Sequence, residues 1–141
     1  MIHNINQLSS WARRQQFPVI FVMHEKADSV LAYQSTGWQL PAAIEQQQGD
    51  LISRKTTPDA FLRTELQPLL QSMAVDQLMI CGYASEFCVD TTVRKAAALG
   101  YQALLAERPD DVEARQGMDD AAAMLAARAG RHAADFEFAA A

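Results

Sequence analysis

Cysteine is scarce in this chain: Cys81 and Cys88, in one short segment, are all that 141 residues contain. A small secreted domain would more often carry several disulfide pairs. Neither a C-x-x-C pair nor a Cys/His cluster at zinc spacing occurs, so the sequence holds no zinc-site pattern. Long apolar runs are missing too, and none could span a bilayer. There is no long basic run, and the formal net charge is -5 with a pI near 5.1. That balance argues against nucleic acid or anionic membrane as the main partner. No G-x-G-x-x-G or P-loop motif is present, which leaves a nucleotide-binding reading weak. The opening Met1-Ile2-His3-Asn4-Ile5-Asn6 turns polar too early for a signal peptide. A cytoplasmic location is the expectation from these exclusions.

Half of the residues are hydrophobic, ample for one core, and the length suits a single domain over 1–141. Ile5, Leu8, Trp11 and Ala12 recur at helical spacing between Asn4 and Gln16. Pro18-Val19-Ile20-Phe21-Val22-Met23 is a continuous apolar run, as expected of a strand buried on both faces. His24 to Gly49 reads mainly as loop, and Leu51-Ile52-Ser53 as a short strand. Pro58 suits the first turn of a helix running to about Met73, with Phe61, Leu62, Leu66, Leu69 and Leu70 as its apolar stripe. Gln77 to Cys81 is the next strand, closed by Gly82. A helix follows from Glu86 to Leu99, capped by Gly100, and then a strand from Tyr101 to Leu105. The alanine-rich remainder predicts a helix from Asp119 to Arg128. Asp135-Phe136-Glu137-Phe138 alternates as a final edge strand would. Strands alternating with helices predict an α/β fold with a mainly parallel sheet.

The segment that carries chemistry is Gly82-Tyr83-Ala84-Ser85-Glu86-Phe87-Cys88-Val89-Asp90-Thr91-Thr92. A strand ends, a tight turn follows, and a cysteine arrives in the first turn of a helix. Free N–H groups at a helix start favour the thiolate, which is the nucleophilic form of the side chain. In parallel sheets, ligands also sit beyond the C-terminal ends of the strands. The competing reading of an unpaired cysteine is a small buried hydrophobe. Cys81, inside an apolar strand, takes that reading.

Gly82 to Val89, followed by Thr91-Thr92 and Ala96 to Tyr101, resembles the nucleophile motif of the isochorismatase-like cysteine hydrolases. Upstream, Pro18 to Val22, Gly37-Trp38, Ser53-Arg54-Lys55, Asp59-Ala60-Phe61 and Thr64-Glu65-Leu66 match in the same order. The resemblance covers about residues 4 to 105. It implies a three-layer sandwich of Rossmann-like topology, with a mainly parallel sheet flanked by helices. It implies Cys88 and Lys55 as catalytic residues and a small amide or related C–N substrate, cleaved through a thioester. A non-proline cis peptide would join Tyr83 to Ala84, placing the Ala84 and Cys88 N–H groups as an oxyanion hole. Trp38 and Phe87 are the candidate substrate-binding residues. Packing or a subunit contact is the alternative for Trp38 and the preferred reading of Tyr33. No cofactor and no metal are expected; His24 reads as a polar loop residue, and His3 and His132 as terminal or exposed.

The resemblance also implies a catalytic aspartate at the end of a first strand lying mid-sheet. This chain opens at the helix that follows it, so that first strand and its aspartate are expected to be absent. The strands near 18–23 and 77–81 would then close on each other, or accept another segment or a neighbouring chain, unless the true start lies upstream. Beyond Leu105 the chain departs from the family pattern, and Glu107 has no assigned place. Two functions stay open: an amidohydrolase whose proton carrier is replaced, or a catalytically impaired remnant with an assembly or binding role. A homo-oligomer is expected in either case, because an open sheet edge invites pairing.

Overall fold

A computed structural model describes residues 2–83, 85–105 and 136–140. Helix α1 (Ile2–Arg14) comes first, and it buries Ile5, Leu8 and Ala12 along one stripe. Five strands follow in the chain: β1 (Val19–His24), β2 (Leu51–Lys55), β3 (Gln77–Cys81), β4 (Gln102–Leu105) and β5 (Phe136–Ala140). Helix α2 (Leu66–Ser72) precedes β3. A π-helical turn, Ser85–Val89, leads directly into α3 (Asp90–Ala98). The strands form one sheet in the order β2-β1-β5-β3-β4, and every pairing is parallel.

The apolar runs of β1 and β3 are explained by this setting. Successive side chains point to opposite faces, and both faces are covered. Val19, Phe21, Met23, Met79 and Cys81 join Ile5, Leu8 and Ala12 of α1 in one core. Ile20, Val22, Leu78 and Ile80 join Leu66 and Leu70 of α2, with Val89 and Ala96 of the Cys88 helix, in the other. The molecule is thus a three-layer α/β sandwich. Each fully buried Ile or Leu of these cores contributes on the order of 1.5–3 kcal/mol of transfer free energy.

Three expectations need correction. The segment expected as a final edge strand is central: β5 pairs with β1 on one side and β3 on the other. The facing edges of β1 and β3 present backbone N–H and C=O groups that need partners once buried, and β5 supplies them. The helix expected from Pro58 is confined to Leu66–Ser72. In the stretch before it, side chains take the backbone groups a helix would use. The Phe61 N–H donates to Asp59 Oδ1, and the Thr64 hydroxyl donates to the Ala60 carbonyl. Leu62 consequently faces solvent rather than joining an apolar stripe. His24, read as a loop residue, is the last residue of β1. The helix expected at Asp119–Arg128, and Glu107, His132 and Asp135, lie outside the described residues.

Candidate active site at the carboxyl ends of the strands

The C-terminal ends of β1, β2 and β3 bring His24, Lys55 and the turn at Gly82 to one edge of the sheet. Ala140 of β5 pairs with Phe21 and Cys81, and β1 runs on to His24. A cleft of about 350 Å³ opens at this edge, a size suited to a small organic molecule. Phe21, Val22 and Met23 line it, together with Ile2 and Ile5 of α1, His24, Trp38, Lys55, Tyr83 and Cys88. Gly82 leaves β3 at φ 145°, a conformation that disfavours any residue with a Cβ and that turns the chain toward Cys88.

Lys55 is the unusual charge. It lies on the inward face of β2 and is only 2% exposed. Its Nζ donates to the Pro58 carbonyl at 3.1 Å. Thr92 of α3 secures that loop, donating to the same carbonyl at 3.4 Å and accepting from the Ala60 N–H at 3.2 Å. The helix that follows Cys88 and the loop that holds the ammonium are therefore tied together. Burial pulls the Lys55 pKa below its ordinary value. The charge and hydrogen bonding of Cys88 work against that pull, and so does the charge of Asp59. An ammonium held this way sits beside the sulfur of Cys88.

Cys88 is partly exposed, whereas Cys81 is buried. Burial alone pushes the Cys81 thiol up to about 12. His24, paired in register with Lys55, titrates below the ordinary histidine value, chiefly through burial and next through the Lys55 charge. Its Nδ1 is buried without a hydrogen-bond partner among the described residues, and so is Trp38 Nε1.

The loop opposite is built to stay in place. Asn6 of α1 donates to the Ala43 carbonyl at 2.8 Å and accepts from the Glu45 N–H at 3.0 Å. Arg13 grips Asp50 with two bonds, at 2.6 and 3.0 Å. A Cβ on Gly37 would meet the Val30 carbonyl oxygen at 2.2 Å, so only glycine allows the close turn that leads into Trp38. Tyr33 stacks edge-on against Trp38, with ring centroids 4.9 Å apart, and carries the Arg54 guanidinium on its ring.

Cys88, Lys55, Trp38 and Tyr83, all anticipated from sequence, line one cleft. Phe87 is not among the lining residues, and its ring is 60% exposed. Ala84 lies outside the described residues. His24 and Thr92 were not singled out beforehand as functional. A strand-end position and a buried hydroxyl are the signals that mark them, and both depend on knowing where β1 and α3 sit. Among the described residues, no group of three or more His, Cys, Asp or Glu could hold a metal ion. None of their helices is long and apolar enough to cross a membrane.

The isochorismatase domain model matches residues 1–135. Streptothricin hydrolase of Streptomyces noursei is 35% identical over 95 residues, covering 65% of this chain and 38% of that enzyme. Ureidoacrylate amidohydrolase of Variovorax paradoxus is 28% identical over 98 residues, covering 70% and 39%. The chain thus spans well under two thirds of these curated relatives. A crystal structure of an isochorismatase family protein superposes with a TM-score of 0.70 at 34% identity, covering 97% of this chain and 81% of that one.

Proposed function

The chain belongs to the isochorismatase family, and from that premise we propose that it is a cysteine hydrolase of small amides or related C–N substrates, with Cys88 as nucleophile. The observation that carries the reading is the buried Lys55 ammonium interacting with Cys88 at the carboxyl edge of a parallel sheet. The thiolate attacks the carbonyl carbon, and the electrons move onto the carbonyl oxygen. The N–H groups of Ala84 and Cys88 are the expected donors to that oxyanion, each such donor contributing roughly 10²–10³-fold in rate. Collapse expels the amine once its nitrogen is protonated, leaving a thioester that water then cleaves. Lys55 keeps the sulfur anionic before attack and again when the thioester breaks. The apolar lining from Ile5, Phe21 and Trp38 suits a substrate with an uncharged body. The relatives named for hydrolysing streptothricin and ureidoacrylate agree with an amide-type substrate.

The test is a hydrolysis screen over small amides, with Cys88→Ser alongside. Turnover by the native chain and its loss in the variant support the reading; turnover that survives Cys88→Ser overturns it. One observation favours a second reading, assembly or binding without turnover: no carboxylate lines the cleft among the described residues. Equal and slow alkylation of both cysteines by iodoacetamide would favour that alternative. Self-association and a cytoplasmic setting belong to the proposal as well, and a clean monomer in sedimentation would count against the first.

A further inference from the structure

We propose that Arg54 is a positioning residue of the cleft: clamped by Glu25, its guanidinium seats Tyr33, and through Tyr33 the Trp38 wall against which the apolar body of a substrate rests. This rests on the hydrolase reading above and adds the group that sets how well such a substrate is held. Trp38 belongs to the loop between β1 and β2, a segment without helix or strand. Such a loop keeps a fixed shape only where side chains tie it down. Its second half is tied to α1, through Asn6 at Ala43 and Glu45 and through Arg13 at Asp50. Its first half is tied to β2 instead, and Arg54 makes that tie.

The contacts run unbroken from the sheet to the cleft. The Glu25 N–H donates to the Lys55 carbonyl at 2.8 Å, which fixes Glu25 beside the end of β2. Its carboxylate accepts two bonds from Arg54, from Nε at 2.8 Å and from Nη2 at 3.0 Å. A forked pair of this kind fixes the plane of the guanidinium as well as its position. That plane lies over the Tyr33 ring, with the guanidinium carbon 3.7 Å from the centroid. The Tyr33 ring then meets Trp38 edge-on, with centroids 4.9 Å apart and planes at 78°. Trp38 packs against the core that holds Phe21 and Met23, and it lines the cleft with them. Within the loop, the Ser35 hydroxyl donates to the Val30 carbonyl at 2.7 Å and accepts from the Trp38 N–H at 3.2 Å.

Two neighbouring residues of β2 thus serve two walls of one cleft. Side chains alternate along a strand, so Arg54 and Lys55 point to opposite faces of the sheet. Lys55 is buried and interacts with Cys88, while Arg54 is exposed and supports Trp38. Removing the guanidinium leaves the bond from Lys55 to the Pro58 carbonyl in place. Arg54 therefore acts on the binding of a substrate's body and not on the sulfur.

The test starts from Trp11→Phe, because Trp11 and Trp38 are the two tryptophans and emission then reports Trp38 alone. In that background Arg54→Met keeps the apolar stem and removes the charged fork. Acrylamide should quench Trp38 more strongly in it than in the parent. With p-nitrophenyl butyrate, KM should rise about 2- to 5-fold, the worth of a cation–π contact at an exposed site. A kcat within about twofold of the parent is expected, since binding common to ground and transition state is what is lost. Iodoacetamide, too small to need the wall, should alkylate Cys88 at the parent rate. Arg54→Lys, which keeps the charge and loses the fork, should recover part of the KM. If Arg54→Met fails to fold, Glu25→Gln, which unclamps Arg54 without removing it, carries the same readouts. A KM within error of the parent's overturns the proposal, whatever the quenching shows. So does a fall of kcat and of Cys88 alkylation in step, which would put the effect on Lys55. A native chain that hydrolyses no ester, yet whose Trp38 quenching responds to Arg54→Met, sinks the hydrolase reading and leaves the clamp on Trp38 standing.

Discussion

Cys81 and Cys88 are seven positions apart and live in different chemical worlds. Cys81 ends β3, packed among Phe21, Met23 and Met79, and its thiol is pushed up to about 12 by burial. Cys88 stands one turn later, partly exposed at the cleft beside a buried ammonium. The interior of β3 works for stability, because each of its five residues is buried. The turn after it gathers charge and an open surface that a core would refuse. On the proposed reading, reactivity belongs to position at the sheet edge and not to the residue type.

The comparison can be broken first at the core. Ile80, fully buried, precedes Cys81, and Ile80→Ala should cost about 2–5 kcal/mol in a denaturant titration. Cys88→Ala should cost under about 1 kcal/mol by the same measurement, as expected away from a packed core. Similar losses would erase the division of labour. Alkylation sharpens it next: at pH 7.5, iodoacetamide should label Cys88 at least about 100-fold faster than Cys81 by mass spectrometry, and denaturant should bring the ratio near one.

Lys55→Met comes third. Removing a buried ammonium should raise stability by about 1 kcal/mol while slowing Cys88 alkylation. Folding lowers the Lys55 pKa from its ordinary 10.5. Below the folded value both states are protonated and the cost of burying the charge is felt in full. Between that value and 10.5 the unfolded chain binds more protons, so native stability rises with pH and the advantage of methionine fades. An advantage independent of pH would show that burial of the ammonium is not its source. Smallest of all is Arg94→Ala: the Arg94–Asp90 pair is an exposed i,i+4 contact, so neither melting temperature nor alkylation should move measurably.

Much of this was legible beforehand. Continuous apolar runs at 18–23 and 77–81 announced strands covered on both faces, and β1 and β3 are such strands. The turn after Gly82, followed by a helical start, marked Cys88. His24 was harder: in sequence it is a polar residue after an apolar run, and only its pairing with Lys55 and its place in the cleft make it a candidate. The stretch from Thr56 to Glu65 misled because its helical apolar spacing is outweighed by side-chain bonds from Thr57, Asp59, Thr64 and Thr92, which no periodicity encodes.

By itself the order of residues determined most of the element types and the parallel α/β class, since these follow from local periodicity and turn chemistry, while Cys88 stood out as the candidate nucleophile through its turn together with the resemblance to a family motif. Only the tertiary structure decided which strand stands in the middle of the sheet. Alternation at Phe136–Phe138 is compatible with an edge or a centre, and the choice fell to the unpaired backbone groups of β1 and β3. Every residue but proline offers the same backbone N–H and C=O groups, so the alternation of side chains at Phe136–Phe138 could not announce that pairing.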